Sequence, residues 1–304
     1  MNDVRPLPPE IVHRPYGPGP YRMAMDLVTA SHADWFEIDD RYSEEMAERR
    51  RLLSERRDEV FAALPVSDAA RGEALAMMLE ALTATHPGWF SRDGGLVHNG
   101  LTGESLSVDA YDPLELAGRL VQEDLCIVQH DDDGPVFTAA VLCFPSRWRL
   151  ADKIGKPLAA VHGPVPLYAD RLSRPVDRFF RHLKPGRIAA RLNWSLLDDP
   201  ALFQPGGKWR TRGDDAITAG NAGARVFLRA ERQTLRLLPV SGAVLFGIRV
   251  HVYPLDRIIR SSEDAARLAE AVRALPPEIQ HYKSLPVFRG ALLDWLAGFG
   301  AGGA

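Results

Sequence analysis

Two long apolar runs, RVFLRAERQTLRLLP and AVLFGIRVHVYPL, follow one another late in the chain, with Val240-Ser241-Gly242 between them. Their β-branched and aromatic content and the glycine-bearing connection predict a pair of long antiparallel strands. Such a pair must bury at least one face, so the rest of the chain has to be arranged around a sheet. Helical patterns come first, shorter strands next, then this pair, then helices again. That order predicts an α+β domain built on an antiparallel sheet.

Strand alternation sets the next constraint. Phe227, Arg229, Glu231 and Gln233 fall on one face of the first run, and Leu228, Ala230, Arg232 and Thr234 on the other. A face with Arg, Glu and Gln in succession suits either a solvated surface or a ligand-lined wall. The second run has Val244, Phe246, Ile248 and Val250 on an apolar face, and Arg249 and His251 opposite.

Ahead of the sheet, Tyr42, Met46, Leu52, Leu53, Val60 and Phe61 recur at helical spacing. Asp39 or Asp40 is the expected cap and Pro65 the stop, with Glu/Arg pairs on the solvated side. DAARGEALAMMLEALTAT is a second helix ending before Pro87, its Met77 and Met78 expected as core. Gly94-Gly95 marks a turn among short polar strands, and Asp112-Pro113 opens a helix. LCIVQ and PVFTAAVLCFP make a hairpin across Asp131-Asp132-Asp133. That acidic run lacks the alternating carboxylates and distal glutamate of a calcium loop, so it is expected as a solvated turn. A helix at 174–183 and a strand at 188–196 precede a long Gly-rich connection, a length typical of active-site or partner-facing loops. SEDAARLAEAVRALPPEI, the first C-terminal helix, opens with a Ser-x-x-Asp/Glu style cap, and FRGALLDWLAGF is the last.

A net charge of -3, with 46% hydrophobic and 25% charged residues, describes a soluble globular protein and gives no reason to expect nucleic acid or an anionic membrane. The two cysteines, Cys126 and Cys143, cannot make a disulfide framework, no stretch nears a membrane span, and the N-terminus has no apolar signal core. A cytoplasmic protein is expected. No linker divides the chain. The expected organisation is a Pro-rich arm at 1–22, one domain at 23–297 and a Gly-rich tail at 298–304.

HxxxH, CxxC, GxSxG and Walker patterns are all absent, which argues against local zinc, thiol-redox, serine-nucleophile and phosphate-loop chemistry. A reactive centre, if present, is then supplied by a cofactor. In AAVHGPVP, His162 stands before Gly163-Pro164 and Val165-Pro166, a rigid turn. These residues alone leave two answers open, a hydrogen-bonded structural histidine, which is the commoner case, and a metal ligand.

Five stretches occur in order: EIDDRYSEEMAERRRLLSERRDEVFAALP, LVQEDLCIVQH, CFPSRWRLADKIGKPLAAVHGPVP, RPVDRFFRHLKPGRIAARLNWSL and RAERQTLRLLPVSGAVLFGIRVHVYPL. Together they resemble the haem-dependent oxidative N-demethylase alpha-subunit-like family over about residues 10–297. The resemblance implies a PAS-like antiparallel sheet holding haem b on its concave face, wrapped by N- and C-terminal helices. It implies oxidative removal of a methyl group from a small secondary amine such as dimethylamine, using oxygen and releasing formaldehyde. Electrons would come from NADPH through separate flavin and iron–sulfur subunits, with tetrahydrofolate chemistry on another partner. Position by position, His162 matches the His-x-PVP histidine and is the implied haem-iron ligand. Arg229, Glu231 and Arg232 match the ERQT strand as catalytic candidates: Glu231 for a substrate ammonium or a proton, the arginines for a haem propionate or for tuning that glutamate. Asn193 and Trp194 match LNW, and Arg147 and Trp148 match PSRW, as candidate cofactor contacts, with plain packing open for Trp194 and Arg147. Gly163 and Ala230 depart from the pattern without removing a chemical side chain. A haem-binding sensor without turnover and a haem-less small-molecule binder are the alternatives.

Overall fold

The computed structural model of the chain describes residues 6–132 and 134–301. Its strands are β1 (Val28–Ala30), β2 (Phe61–Ala63), β3 (Phe90–Asp93), β4 (Leu96–Asn99), β5 (Glu104–Ser107), β6 (Asp124–Asp131), β7 (Gly134–Val141), β8 (Ile188–Leu197), β9 (Phe227–Leu237) and β10 (Val244–Pro254). Seven form one sheet in the order β1-β8-β9-β10-β6-β7-β2, and β3-β4-β5 form a second. Neighbouring strands run antiparallel throughout. The fold is thus a mixed helix–sheet structure with a large and a small antiparallel sheet.

β9 and β10 are the expected long hairpin, paired from Leu237–Val244 to Phe227–Pro254. Gly242 takes the left-handed φ of +70° that closes the turn. Glu73, from the helix Asp68–Thr85, accepts the Val240 and Ser241 amides at 2.7 and 2.8 Å and so fixes the turn from below. β6 and β7 form the other predicted hairpin. Asp131 and Asp132 are exposed at its tip, and Asp133 lies outside the described residues.

Ala70, Ala74, Met78 and Leu82, four apart along the helix Asp68–Thr85, are fully buried. Burying Met78 and Leu82 contributes about 2 kcal/mol each. The predicted caps form: Asp112 accepts the Leu114 amide at 2.9 Å and Ser261 the Asp264 amide at 3.1 Å. The helix Ser262–Ala274 and the helix Arg289–Ala301 pack a second apolar cluster against Leu228, Ala230 and Tyr253. No helix among the described residues is long and apolar enough to cross a membrane.

Two expectations fail in the first helix. It spans Tyr42–Glu55, breaks at Arg56 and resumes for one turn at Arg57–Val60, whereas Phe61–Ala63 leave the helix and pair with Val141–Ala139. Helical spacing put Phe61 inside, but backbone pairing with β7 outweighs a local pattern. Asp39 is not a cap residue of this helix. It is fully buried, and its carboxylate meets Arg249 at 3.0 Å.

That contact belongs to an ionic layer on one side of the large sheet. Arg249 also binds Glu45 at 2.7 Å, and Arg232 binds Glu37 at 3.2 Å. A further buried pair, Arg49 with Asp124 at 2.7 Å, sits at the start of β6, where Asp124 lies opposite Ile248. Arg49 and Arg249 are among the most deeply buried side chains of the fold. Each has a carboxylate partner, the condition for tolerating a buried charge.

Candidate functional site

Register places a different set of side chains on the other side of the sheet. Asn193 on β8 lies opposite Glu231 on β9, Gln233 opposite Ile248, and Leu235 opposite Phe246 on β10, which in turn faces Cys126 on β6. Side chains of directly opposed residues share a face, and these floor a cavity of about 560 Å³. The irregular segment 15–27 covers one side. His162 and its neighbours form another, and Tyr282 and Lys283 a third. The volume lies within the range of small-molecule and cofactor sites.

Glu231 is the carboxylate of the floor. Its Oε2 accepts from Asn193 and Gln233, both at 3.2 Å, and its Oε1 from Arg229 at 3.3 Å. Burial alone would raise its pKa. The Arg229 guanidinium and the three hydrogen bonds outweigh that and hold the carboxyl below its ordinary range. Arg229 is fully buried behind it, where Nη2 also donates to the Phe144 carbonyl and Nη1 to that of Leu202. It acts on the cavity through Glu231.

His162 closes the short helix Leu158–Val161. Its Nδ1 lies 2.9 Å from the Leu158 carbonyl, which only accepts, so this nitrogen carries the proton. Nε2 is therefore the lone-pair nitrogen, and it has no hydrogen-bond partner among the described residues. The ring stacks on Tyr168 with centroids 4.5 Å apart and an interplanar angle of 13°. Burial pushes its pKa down to about 4, so the imidazole is neutral at pH 7. A neutral ring with one nitrogen tied to a carbonyl and the other open is the form that ligates a metal.

Positive charge is in excess around the cavity. Lys153, Lys208, Lys283 and Arg191 border it, against the carboxylates of Glu231 and Asp26. Burial pushes the pKa of each lysine down to about 8. Lys208 donates to the Tyr282 hydroxyl at 2.7 Å, Lys283 to the Trp194 carbonyl, and Lys153 lies 4.3 Å over the Trp148 ring. The Nε of Arg191 is buried with no partner among the described residues. Asp26 has its own cation in Arg22 at 3.9 Å. What remains is a surplus suited to an anionic ligand.

Backbone strain gathers here as well. The non-glycine residues with left-handed φ among the described residues are Asp26, Arg147, Leu167, Trp209 and Ser284. Asp26 and Arg147 border the cavity, and the other three adjoin Tyr168, Lys208 and Lys283, which do. Each such conformation costs on the order of 1–3 kcal/mol and persists where surrounding structure enforces it, commonly at ligand sites.

Of the residues singled out from the sequence, His162, Glu231, Asn193, Trp194 and Arg147 border this one cavity. Trp194 meets Tyr16 edge-on at 5.9 Å, and Arg147 binds Asp198 at 2.6 Å and Gln204 at 3.2 Å. Arg229 stands behind the wall. Arg232 points to the opposite side of the sheet, in the ionic layer, where it donates to the Asp34 and Trp35 carbonyls. The lysines and Arg191 were not singled out. Lys153 lay in the stretch leading to His162 and Lys208 in the long polar connection, whereas nothing local marks Lys283. Cys126 lines the floor and Cys143 lies buried elsewhere. Burial raises both thiol pKa values, that of Cys143 to about 12, which disfavours a thiolate ligand.

A family model described as haem-dependent oxidative N-demethylase, alpha subunit-like, matches residues 26–293. The match covers most of the 304 residues and includes the strands, His162 and the lysines described above. The chain belongs to this family.

Proposed function

We propose that the protein is the haem-binding catalytic subunit of a cytoplasmic oxidative N-demethylase acting on a small secondary amine. The observation that carries this reading is His162, neutral, with Nδ1 tied to Leu158 and Nε2 open, beside a cavity whose floor holds a charged Glu231. The residues present fit a haem b. The donor is a single imidazole, apolar side chains such as Phe137, Val161 and Phe180 supply the walls, and the surplus cations match two propionate groups. The sheet bearing them is read as a PAS-like core.

His162 would hold the iron, Tyr168 and the Leu158 carbonyl keeping its ring in place. Lys153, Lys208 and Arg191 would receive the propionates. Bound haem supplies the oxygen-activating redox chemistry. The amine, protonated at neutral pH, finds its counter-ion in Glu231, which Arg229 keeps ionised. Asn193 and Gln233 hold both the position and the charge of that carboxylate, and Glu231 can take the amine proton at Oε2. The reaction balances as dimethylamine, oxygen, two electrons and two protons giving methylamine, formaldehyde and water. The electrons are assigned to a separate flavin and iron–sulfur reductase subunit, in keeping with an alpha-subunit-like chain.

An absorption spectrum tests the cofactor. Purified or reconstituted protein is expected to show a Soret band that His162→Ala abolishes or shifts. Absence of the band, or a band untouched by that substitution, overturns the assignment.

A further inference from the structure

Beyond the ionic pairs of Arg232 and Arg249, the side of the sheet away from the cavity holds a second group of metal-type donors. His13, from the irregular segment preceding β1, His251 on β10 and Glu37 bring one ligand atom each to within 4.8 Å of one another. His13 Nε2 lies 3.1 Å from Glu37 Oε2, and His251 Nε2 lies 2.9 Å from the same oxygen. The two rings meet at an angle of 64° with centroids 4.9 Å apart.

We propose that His13, Glu37 and His251 form a binding site for a divalent cation of the zinc class, which fastens the segment bearing His13 to the sheet. Two imidazoles and one carboxylate oxygen are a zinc donor set, whereas the oxygen-seeking calcium and magnesium ions would find too few oxygens. In a tetrahedral site with bonds of about 2.0–2.1 Å, neighbouring donor atoms stand about 3.3 Å apart. The two edges to Glu37 Oε2, 3.1 and 2.9 Å, need to open by only a few tenths of an ångström, and the edge between the two imidazole nitrogens lies within 4.8 Å.

The surroundings supply what such ligands require behind them. Glu37 Oε1 is held by Arg232 at 3.2 Å and lies 3.1 Å from His13 Nε2, whereas Oε2 is within 3.1 Å of both imidazoles and is the donor of a monodentate carboxylate. Asp39 Oδ2 stands 3.9 Å from His251 Nδ1, a carboxylate behind the ligating imidazole. Glu37, Asp39, Glu45 and Glu123 face two guanidiniums, Arg232 and Arg249, so the pocket carries more acid than base. The His251 side chain is 1% exposed, but those of Glu37 and His13 are 13% and 18%, which gives a metal and a bound water an approach from one side.

The position has a structural consequence. Tyr253 donates to the Ile11 carbonyl, the His13 amide donates to the Tyr253 hydroxyl at 3.4 Å, and Arg14 donates to the Ile258 carbonyl at 3.0 Å. Pro15, two residues after His13, is where the chain begins to border the cavity. A cation on His13 would pin the start of the cavity's cover from the far side of the sheet.

The test uses full-length protein stripped of metal and dialysed against Zn²⁺. One zinc per chain is expected, with a higher melting temperature in its presence. His13→Gln should lower zinc affinity by more than about 100-fold, the upper end of what losing even an outer-shell partner costs. His162→Ala should leave zinc affinity unchanged, which separates this site from the cavity. No stoichiometric zinc in the wild type, or undiminished binding by His13→Gln, overturns the proposal. Zinc K-edge spectra of the wild type need no variant: two imidazoles and an oxygen donor are expected, and fewer than two imidazoles refutes it.

Discussion

Glu231 and Arg232 are adjacent in β9 and serve opposite sides of the sheet. On the Arg232 side, guanidiniums and carboxylates meet directly, Arg249 with Asp39 and Glu45, Arg232 with Glu37. On the Glu231 side, three lysines and Arg191 share essentially one carboxylate, and a guanidinium nitrogen is left without a partner. The sheet is one piece of backbone with two electrostatic economies. Paired charges hold elements together, whereas an incomplete set, the surplus cations here or the surplus carboxylates around Glu37, is poised for something that arrives.

The contrast is sharpest when a charge is removed from each side. Arg249→Leu strands Asp39 and Glu45 in a buried layer and should cost about 3–5 kcal/mol in denaturant unfolding. A loss below about 1 kcal/mol would erase the distinction. Glu231→Gln keeps an acceptor for Asn193 but leaves the buried Arg229 without its carboxylate. Only the Phe144 and Leu202 carbonyls and a neutral amide then stand beside that guanidinium, and the change should cost about 2–3 kcal/mol. With chemical reductant, oxygen and dimethylamine, however, its formaldehyde yield should collapse, and an undiminished yield would refute the proposed role of the carboxylate. The smallest effect has the opposite sign. Lys283→Met relieves a half-buried cation, so it should stabilise the haem-free protein by about 1 kcal/mol at pH 7. Because the lysine pKa is about 8 when folded and near 10.5 when unfolded, the unfolded chain binds more protons between those values. Wild-type stability therefore rises relative to the variant across that window, and the advantage of Lys283→Met fades by pH 10.5. A gap that persists at high pH would mean that packing, not charge, sets the effect.

The paired strands, the caps at Asp112 and Ser261 and the side of the sheet taken by Glu231 were legible because each follows from a local period or a local hydrogen bond. Phe61 was misjudged because its neighbours offer helical spacing while the edge of β7, distant in sequence, offers backbone partners. Asp39 resembled a cap for the same reason, its true partner being Arg249. The cavity was half legible. Motif stretches carried His162, Asn193 and Glu231, but Lys208 and Lys283 acquire meaning only when residues 15–27, the loop at 208 and the turn at 283 converge. No window of sequence contains that convergence.

It also imposes an order of events. The cover at residues 15–27 and the wall at Tyr282 and Lys283 come from opposite stretches of the described chain, so a ribosome releases the second long after the first. A nascent chain stopped short of Tyr282 lacks one wall of the cavity. The site is therefore complete only once synthesis has passed that point, when the longest-range contacts close.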